Sequence, residues 1–421
     1  MFLVFAFVVI SKTFALKYFQ QSNLDYYDIQ EETTTLSSNL QCCIYCSQFD
    51  CCEGVIQVGN TCQLLQNVKL SSSNQQTLAW IDSNIVSRGT ILDKILMITG
   101  EPFDQSMTGE LIDFKDQKSC LTNLTFPKPL KAAYYGQISK QDFIICGGDD
   151  ENLDKRSECY HLDLLKYDNF QPMTSTLKTA RSQGSSVSIK DVGLWIIGGT
   201  TKIDGQSEKL SSTEIIVSLD QVIQGPELPK IWTAMCAVNI EDKNSVFIGG
   251  GNFDGIMKVK TTYFYQYDNL DFLNGNWRSG PDFLEKKFRT TCALLKLDNG
   301  KSYIVAGGGM GDVGYDPTNK VEILDLDTNI WTQGNIEKKI GKFEQFYITG
   351  PELPKVLKWH RFVQPENHNF MLLGGSDMNQ DIYELKCSSI MDCQWILKQH
   401  SMMQDRQAFA AVPVSMRCPC Q

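Results

Sequence analysis

Histidine, cysteine and serine side chains are the groups in this chain that could bind a metal or attack a substrate. Its 421 residues include four histidines, which occur singly: His161, His360, His368 and His400. A copper site requires several imidazoles, and a serine hydrolase of the Gly-x-Ser-x-Gly type requires a pentapeptide that the sequence lacks. The sequence therefore predicts no catalytic residue, no metal site and no cofactor, and we expect a protein that is not an enzyme.

The cysteines are better suited to disulfide bonds. Of the 15 cysteines, six lie within residues 42–62, seven within 120–393, and two in the tail at Cys418 and Cys420. Oxidising compartments allow such thiols to pair. Because the total is odd, at least one thiol is free or is bonded to another chain. Cys418 or Cys420 could make that bond, which would give a disulfide-linked oligomer.

The N-terminus and the net charge indicate where the protein acts. Met1–Ile10 is an unbroken apolar run, and small residues follow at Thr13 and Ala15. This layout predicts a secretory signal peptide over residues 1–15, with a buried N-terminal strand as the alternative. No later stretch approaches the roughly 20 apolar residues of a membrane helix. The net charge of −10 disfavours nucleic acid as a partner. We therefore expect a secreted protein without a membrane span.

A small cysteine-rich module is predicted over residues 16–86. Cys42 and Cys46 are four residues apart, which places both sulfurs on one helix face. Val55–Val58 and Gln63–Leu65 predict a hairpin around a Gly-Asn turn. A helix on a hairpin of this size needs covalent cross-links, for which the candidates are Cys42, Cys46, Cys51, Cys52 and Cys62. A zinc site built on Cys43, Cys46 and Cys51 or Cys52 is the alternative, which an oxidising compartment disfavours.

The module resembles the PAN/apple family. The shared features are a Cys-x3-Cys pair on a helix, a further cysteine, and a strand that ends in Cys62-Gln63-Leu64. The doubled cysteines at 42–43 and 51–52 depart from the usual pattern, so the pairing stays open. Members of that family bind proteins or carbohydrates, and the resemblance implies a binding role for residues 16–86.

Short apolar runs that end at a pair of glycines recur through residues 88–415. A degenerate first copy, Ile95–Gly100, keeps one glycine. A period of roughly 50 residues with four short strands per unit is typical of a β-propeller. The predicted diglycines are Gly147-Gly148, Gly198-Gly199, Gly249-Gly250, Gly307-Gly308 and Gly374-Gly375.

Other features recur with the glycines. A Gly-Pro-Glu-Leu-Pro-Lys turn occurs at 225–230 and again at 350–355, and three units carry a tryptophan at the start of the fourth strand, at Trp277, Trp331 and Trp395. Together with a tyrosine-containing third strand, these features resemble the Kelch family. The resemblance implies a mostly β protein, with a six-bladed Kelch-type β-propeller over 88–415 after the α+β module.

The first predicted blade lacks one strand. Residues 406–414 match the first strand of the other units and have no partner strands after them. Pairing of 406–414 with Ile91–Thr99 would close the ring and leave no open edge. The remaining residues, 416–421, form a cysteine-containing tail.

Cysteines within the repeats predict two local disulfides. Cys146 and Cys159 flank one loop, and Cys387 and Cys393 flank another, so both pairs lie within the separation that a disulfide tolerates. Cys236 and Cys292, on the first strands of adjacent units, are expected to be buried free thiols.

One glycosylation sequon is present. It is Asn123-Leu124-Thr125, which we expect in a turn, where Asn123 could carry a glycan.

The loops after the diglycines are the predicted contact surface. The longer ones, Thr200–Leu210, Asn252–Lys260 and Gly309–Asn319, should emerge on one face. We expect a secreted, non-catalytic binding or adhesion protein that engages an extracellular protein or carbohydrate through these loops and the apple-like module. The alternatives are an extracellular oxidase related to galactose oxidase and a disulfide-linked matrix component.

Overall fold

The computed structural model describes strands within residues 16–82 and most of residues 94–414. The described N-terminal ranges are 16–21, 24–35, 54–58, 61–70 and 77–82. Between 94 and 414 the gaps are 115–116, 140, 165–168, 269–270, 298, 312–315, 334–351, 366–368, 377–379 and 390–391. The predicted signal peptide, the helix at Cys42–Cys46 with Cys51 and Cys52, and the tail 416–421 lie outside the described residues. The side chain of Cys62 lies outside them as well.

The N-terminal unit contains one five-stranded antiparallel sheet. Its strands lie in the spatial order Leu16–Gln21, Thr77–Asp82, Gly54–Val58, Thr61–Leu70 and Leu24–Thr35. The predicted hairpin is present in this sheet, because Gly54–Val58 pairs directly with Thr61–Leu70 and Val58 lies opposite Thr61.

The second unit consists mainly of six four-stranded antiparallel sheets, which we number 1 to 6. We number the strands of each sheet from one edge to the other. In that order they are Ala410–Val414, Lys94–Ile98, Thr108–Asp113 and Lys118–Thr125 (sheet 1); Tyr134–Gln137, Asp142–Cys146, Cys159–Asp163 and Gln171–Pro172 (sheet 2); Ser185–Ile189, Gly193–Ile197, Thr213–Ser218 and Gln221–Gln224 (sheet 3); Cys236–Ile240, Ser245–Gly249, Thr262–Asp268 and Asp271–Ser279 (sheet 4); Thr291–Lys296, Ser302–Gly307, Val321–Asp325 and Ile330–Gln333 (sheet 5); Arg361–Val363, Phe370–Leu373, Ile382–Ser389 and Asp392–Leu397 (sheet 6).

Two smaller sheets and one helical turn complete the described secondary structure. A hairpin pairs Thr200–Ile203 with Gln206–Lys209. A three-stranded sheet contains Trp232–Thr233, Asn252–Phe253 and Ile256–Met257. A 3-10 helix spans Glu241–Lys243. In the part of the chain that the structure describes, no helix has the length and apolar character needed to cross a membrane.

The second strands explain the continuous apolar runs of the sequence. Gly193–Ile197 and Ser245–Gly249 are buried at every position. A strand buried on both faces selects apolar residues without alternation. The core lies between neighbouring sheets; for example, one hydrophobic cluster joins Trp195 and Ile197 of sheet 3 to Val246, Ile248 and Tyr265 of sheet 4. The second strands are therefore the buried centre of each sheet.

A hydrogen bond at an equivalent position links each sheet to the next in chain order. The donor is the amide two residues after the second strand, and the acceptor is the carbonyl four residues before the first strand of the next sheet. The last bond of the series leads from sheet 6 back to sheet 1. The six bonds are Gly100 to Leu130 (2.7 Å), Gly148 to Arg181 (2.9 Å), Gly199 to Trp232 (2.9 Å), Gly251 to Lys287 (2.7 Å), Gly309 to Leu357 (2.6 Å) and Gly375 to Arg406 (2.8 Å).

In sheets 4 and 5 the left-handed glycine pair lies one residue later than the sequence predicts. Gly250-Gly251 have φ values of 67° and 83°, and Gly308-Gly309 have 61° and 84°. Gly249 and Gly307 are instead the last residues of their strands. Three consecutive glycines allow this shift, since the second and third form the left-handed turn. The first glycine packs against an aromatic ring: a Cβ on Gly249 would lie 2.7 Å from Phe283.

Alternate sheets carry a buried pair of an acidic and a basic residue. In sheets 1, 3 and 5 a glutamate lies opposite the next-to-last residue of the second strand, and a buried Arg or Lys contacts it. In sheets 2, 4 and 6 the residue at the glutamate position is a tyrosine. The residue at the position of the Arg or Lys, four residues before the first strand, is leucine or tryptophan in these sheets. The buried pairs are Glu110 with Arg406 (3.8 Å), Glu214 with Arg181 (2.8 Å) and Glu322 with Lys287 (3.1 Å).

Three disulfides have both of their cysteines among the described residues. Cys146–Cys159 and Cys387–Cys393 join directly opposite residues of neighbouring strands, which confirms the two predicted local bridges. Cys120 is also disulfide-bonded.

The third disulfide corrects a sequence prediction. Cys236 and Cys292 are bonded, whereas the sequence predicts buried free thiols. The first strands of sheets 4 and 5 run side by side, which brings the two Cα atoms to 5.5 Å. This disulfide therefore joins two sheets, whereas the other two lie within one sheet.

Removal of the disulfide between sheets should cost more stability than removal of a local one. Loop-closure entropy assigns about 4 kcal/mol to the bridge that spans 56 residues and about 2 kcal/mol to the bridge that spans six. We expect the Cys236→Ala/Cys292→Ala variant to have a lower free energy of unfolding in urea than the Cys387→Ala/Cys393→Ala variant. Equal losses in the two variants would contradict this expectation.

The glycosylation sequon also differs from its expected setting. Asn123 lies in the strand Lys118–Thr125 at the edge of sheet 1, not in a turn. Its side chain is exposed, because alternate residues of an edge strand point to solvent. Asn123 is therefore accessible to a glycan in this strand.

Candidate ligand-binding cavity

Six residues with positive φ precede the first strands, one for each sheet. We call these six residues the girdle. None of them is glycine, although the left-handed conformation costs an ordinary residue about 1–2 kcal/mol. A shared structural constraint must therefore hold them. The girdle consists of Ala132 (φ 50°), Gln183 (58°), Ala234 (54°), Arg289 (56°), Trp359 (62°) and Ala408 (54°).

Hydrogen bonds between successive girdle residues supply that constraint. The amides of five girdle residues donate to the carbonyl of the girdle residue in the preceding sheet. The series again links the last sheet to the first, through Trp359 and Ala408. The bonds are Ala132 to Ala408 (3.0 Å), Gln183 to Ala132 (3.2 Å), Ala234 to Gln183 (2.8 Å), Arg289 to Ala234 (3.1 Å) and Ala408 to Trp359 (3.0 Å).

A cavity of about 160 Å³ lies against the girdle. Sheets 2 to 6 all contribute to its wall, through girdle residues and the two or three residues that follow each of them. The lining includes two arginines, Arg289 and Arg361, and the rings of Tyr135, Trp359 and Phe362. No aspartate or glutamate is among the described residues that line it. The cavity is thus a positively charged site at which five sheets meet.

Arg289 is held by rings rather than by an acid. Its guanidinium lies 4.5 Å from the centroid of the Trp359 ring and 5.0 Å from that of Phe288. Its Nε is buried and has no hydrogen-bond partner in the described part of the chain. Burial lowers the pKa of Arg289, while the charge of Glu101 acts in the opposite direction. The cation therefore has stacking partners but no ion pair among the described residues.

Arg361 lines the same cavity from the first strand of sheet 6. Its Nε donates to the carbonyl of Phe409 (2.7 Å) and its Nη1 to that of His360 (3.3 Å). The guanidinium is 5.4 Å from the centroid of the Tyr135 ring. These contacts fix the side chain through neutral groups, so Arg361 adds a second positive charge to the cavity without a carboxylate partner among the described residues.

Two acidic side chains near girdle residues are occupied by other partners. Glu101 forms an ion pair with Lys131 and accepts a hydrogen bond from Gln407 (2.7 Å). Asp149 forms an ion pair with Lys155 (2.6 Å) and accepts a hydrogen bond from Gln183 (3.1 Å). Neither carboxylate therefore forms an ion pair with the two arginines of the cavity.

Three hydroxyl groups of the cavity wall donate to the backbone. Ser186 Oγ donates to the carbonyl of Tyr135 (2.8 Å), Thr290 Oγ1 to that of Gly307 (2.8 Å) and Thr291 Oγ1 to that of His360 (2.8 Å). A hydroxyl has one proton to donate. These three side chains can consequently offer a ligand only acceptor lone pairs.

The predicted contact loops arise next to the girdle. Thr200, at the start of one hairpin, bridges to Ser182, the residue before Gln183. Asn252 pairs with Thr233, the residue before Ala234. In sheet 5, Met310 bridges to Phe288, which precedes Arg289; residues 312–315 of that loop lie outside the described residues.

The first two loops expose aliphatic side chains. Ile203 is 55% exposed, Ile256 64% and Met257 40%. Both hairpins begin beside girdle residues that line the cavity, so the loops that carry these exposed side chains start at its wall.

The described histidines do not assemble into a metal site. His161 Nε2 lies 2.8 Å from Asp142 in sheet 2. His360 and His400 lie just before and just after the strands of sheet 6, and neither ring nitrogen of either has a hydrogen bond to a described residue. Across the described residues no group of three or more His, Cys, Asp or Glu side chains could hold a metal ion. His368 lies outside the described residues.

His360 makes stability depend on pH. It is fully buried, and burial, followed by the charge of Arg361, lowers its pKa from 6.5 to about 3. Between these values the unfolded chain binds a proton that the folded chain does not, so stability falls as the pH drops below 6.5. The contribution approaches about 1.4 kcal/mol per pH unit. We expect His360→Leu to reduce the loss of unfolding free energy between pH 6.5 and pH 4.5; an unchanged loss would contradict this prediction.

Sequence reasoning missed the two cavity arginines. Phe288–Cys292 and Trp359–Phe362 are visible in the sequence as first-strand segments, and each contains an arginine in an otherwise largely apolar or hydroxyl-bearing run. The signal available in the sequence was a charged residue at or just before the start of a first strand. Comparison with known protein families and with curated protein sequences gives no match to this chain.

Proposed function

We propose that the protein is a secreted, non-catalytic binding protein, in which a six-bladed Kelch-type propeller follows a PAN/apple-like module. Two series of hydrogen bonds support the propeller: one from the glycine pairs and one within the girdle, and both pass from sheet 6 to sheet 1. The pairing of Ala410–Val414 with Lys94–Ile98 is the strand exchange that such a closure requires.

The observation that carries the binding function is the cavity at the girdle. It contains two arginines without carboxylate partners among the described residues, and it is bordered by hairpins with exposed aliphatic side chains. Binding sites combine a concave apolar surface with a few convergent polar groups. Rigid sheets position variable loops in many binding proteins, and the hairpins beside this cavity are suited to the same use.

The proposal is tested with arrays of extracellular proteins and glycans probed with the full-length secreted protein. The informative variant is Ile256→Asp, at the exposed hairpin beside the girdle. Its control is Ile330→Asp, in the fourth strand of sheet 5, where the side chain is exposed to a similar degree (60% against 64%). We expect Ile256→Asp to weaken binding to the identified ligand by about tenfold or more, and Ile330→Asp to leave it unchanged.

Two results would contradict the proposal. One is that no extracellular protein or glycan is bound by the folded protein. The other is that Ile330→Asp weakens binding as much as Ile256→Asp, which would put the contact surface on the outer edge of the sheets.

A further inference from the structure

The cavity contains a cationic side chain without an anionic partner among the described residues. Arg289 is half-buried and its Nε has no hydrogen-bond partner among the described residues. A buried charge is costly unless it is paired. The rings of Trp359 and Phe288 compensate part of that cost through cation–π contacts. An anionic group within the cavity would supply the missing partner.

The donors that remain free select the chemistry of the ligand. The hydroxyls of Ser186, Thr290 and Thr291 already donate to carbonyls, and the guanidinium groups of Arg289 and Arg361 are the charged donors of the described wall. A planar guanidinium matches a carboxylate through two parallel hydrogen bonds. The cavity is therefore suited to a carboxylate.

The size of the cavity and its border favour a protein as the source of that carboxylate. About 160 Å³ is below the roughly 300 Å³ at which pockets for whole small-molecule ligands begin, so one side chain fits better than a sugar ring. The exposed Ile203, Ile256 and Met257 would stay in contact with water beside a sugar. Apolar atoms of a protein partner could bury them.

We propose that the cavity binds the carboxylate of a glutamate or aspartate side chain presented by a partner protein, with Arg289 and Arg361 as its hydrogen-bond donors. The inserted residue is the anchor of the contact, and the hairpins at 200–209 and 252–257 bind apolar side chains next to it. The inference rests on the proposed binding function and specifies the chemistry of its ligand.

The test uses the full-length protein and a pool of short peptides with one central Glu or Asp flanked by Leu and Val. A matched pool carries Gln and Asn at the same position. We expect the acidic peptides to bind about tenfold tighter than their amide counterparts. Arg289→Gln should abolish this preference. Arg289→Lys should keep part of it, because lysine retains the positive charge but lacks the planar guanidinium that makes two parallel hydrogen bonds.

The matched control is Arg278→Gln. Arg278 is exposed and also stacks on a ring, that of Phe264 at 4.6 Å, but it lies in the fourth strand of sheet 4 and does not line the cavity. The control should retain the full preference for acidic peptides. Circular dichroism and thermal melting of each variant separate loss of charge from loss of fold.

Three outcomes would overturn the inference. The first is equal binding of acidic and amide peptides, including the case in which neither binds. The second is a preference that Arg289→Gln retains. The third is binding of glucuronic acid or N-acetylneuraminic acid in place of the peptides. Binding that depends on Ile256 without an acidic preference would leave the proposed function intact, whereas loss of all ligand binding would remove both.

Discussion

Replacement of Arg181 by alanine is expected to lower the free energy of unfolding by about 3–5 kcal/mol. Arg181 and Glu214 are completely buried and 2.8 Å apart. Glu214 also accepts hydrogen bonds from the amides of Lys178 (2.6 Å) and Thr179 (3.1 Å). Removal of the arginine leaves a buried carboxylate without its counter-ion, and urea denaturation measures the loss.

Two further variants isolate the cause. Lys128→Ala removes an ion pair with Glu158, which precedes the third strand of sheet 2. The two side chains are 44% and 37% exposed, so the change should cost less than about 1 kcal/mol. The double variant Arg181→Met/Glu214→Leu should be more stable than Arg181→Ala, because it removes both charges together. An Arg181→Ala protein as stable as the Lys128→Ala protein would contradict the stabilising role of the buried pairs.

Substitution of Gly199 by alanine is expected to destabilise the protein by about 2–6 kcal/mol, the sum of two costs. The φ of Gly199 is +98°, and a Cβ at this position would overlap Tyr134 Oη and the carbonyl of Ser182. Strain at such a φ costs about 1–3 kcal/mol, and forced overpacking adds about 1–3 kcal/mol. Tyr134 is itself held by a hydrogen bond to the carbonyl of Gly198 (2.9 Å), so it cannot move away without loss of that bond. Urea denaturation measures the change.

Gly205→Ala is the matched control for Gly199→Ala. Gly205 also has a positive φ, +81°, but nothing lies within 4 Å of the position that a Cβ would take there. It should therefore show the cost of backbone strain alone, about 1–2 kcal/mol. Equal losses in the two variants would show that the close approach of sheets 2 and 3 at Gly199 does not determine stability.

The repeated strands could be predicted because their signal is local. Full burial of Leu194–Ile197 selects an apolar run, and the left-handed turn after it selects Gly198-Gly199. The pairing of the C-terminal strand with Lys94–Ile98 could also be predicted, since Ala410–Val414 repeats the first-strand pattern without partners of its own. Local pattern was ambiguous only where three glycines follow one another, at 249–251 and 307–309.

Features that depend on neighbouring sheets could not be predicted in this way. The Cys236–Cys292 disulfide requires two first strands to lie side by side, and sequence spacing does not give that distance. The girdle uses Ala, Gln, Arg and Trp in a left-handed conformation, so no glycine marks it. Arg289 became a candidate ligand contact only when two things were known: the aromatic rings on which its guanidinium stacks, and the lack of an acidic partner among the described residues.

The proposed propeller requires the C-terminal strand Ala410–Val414 to pair with Lys94–Ile98, as it does in the structure. Hydrogen exchange followed by mass spectrometry tests it on the native, full-length protein. We predict that amides of Ala410–Val414 and Lys94–Ile98 exchange as slowly as those of Cys236–Ile240, the first strand of sheet 4. Exchange of Ala410–Val414 at the rate of a free chain, with Cys236–Ile240 still protected, would contradict it.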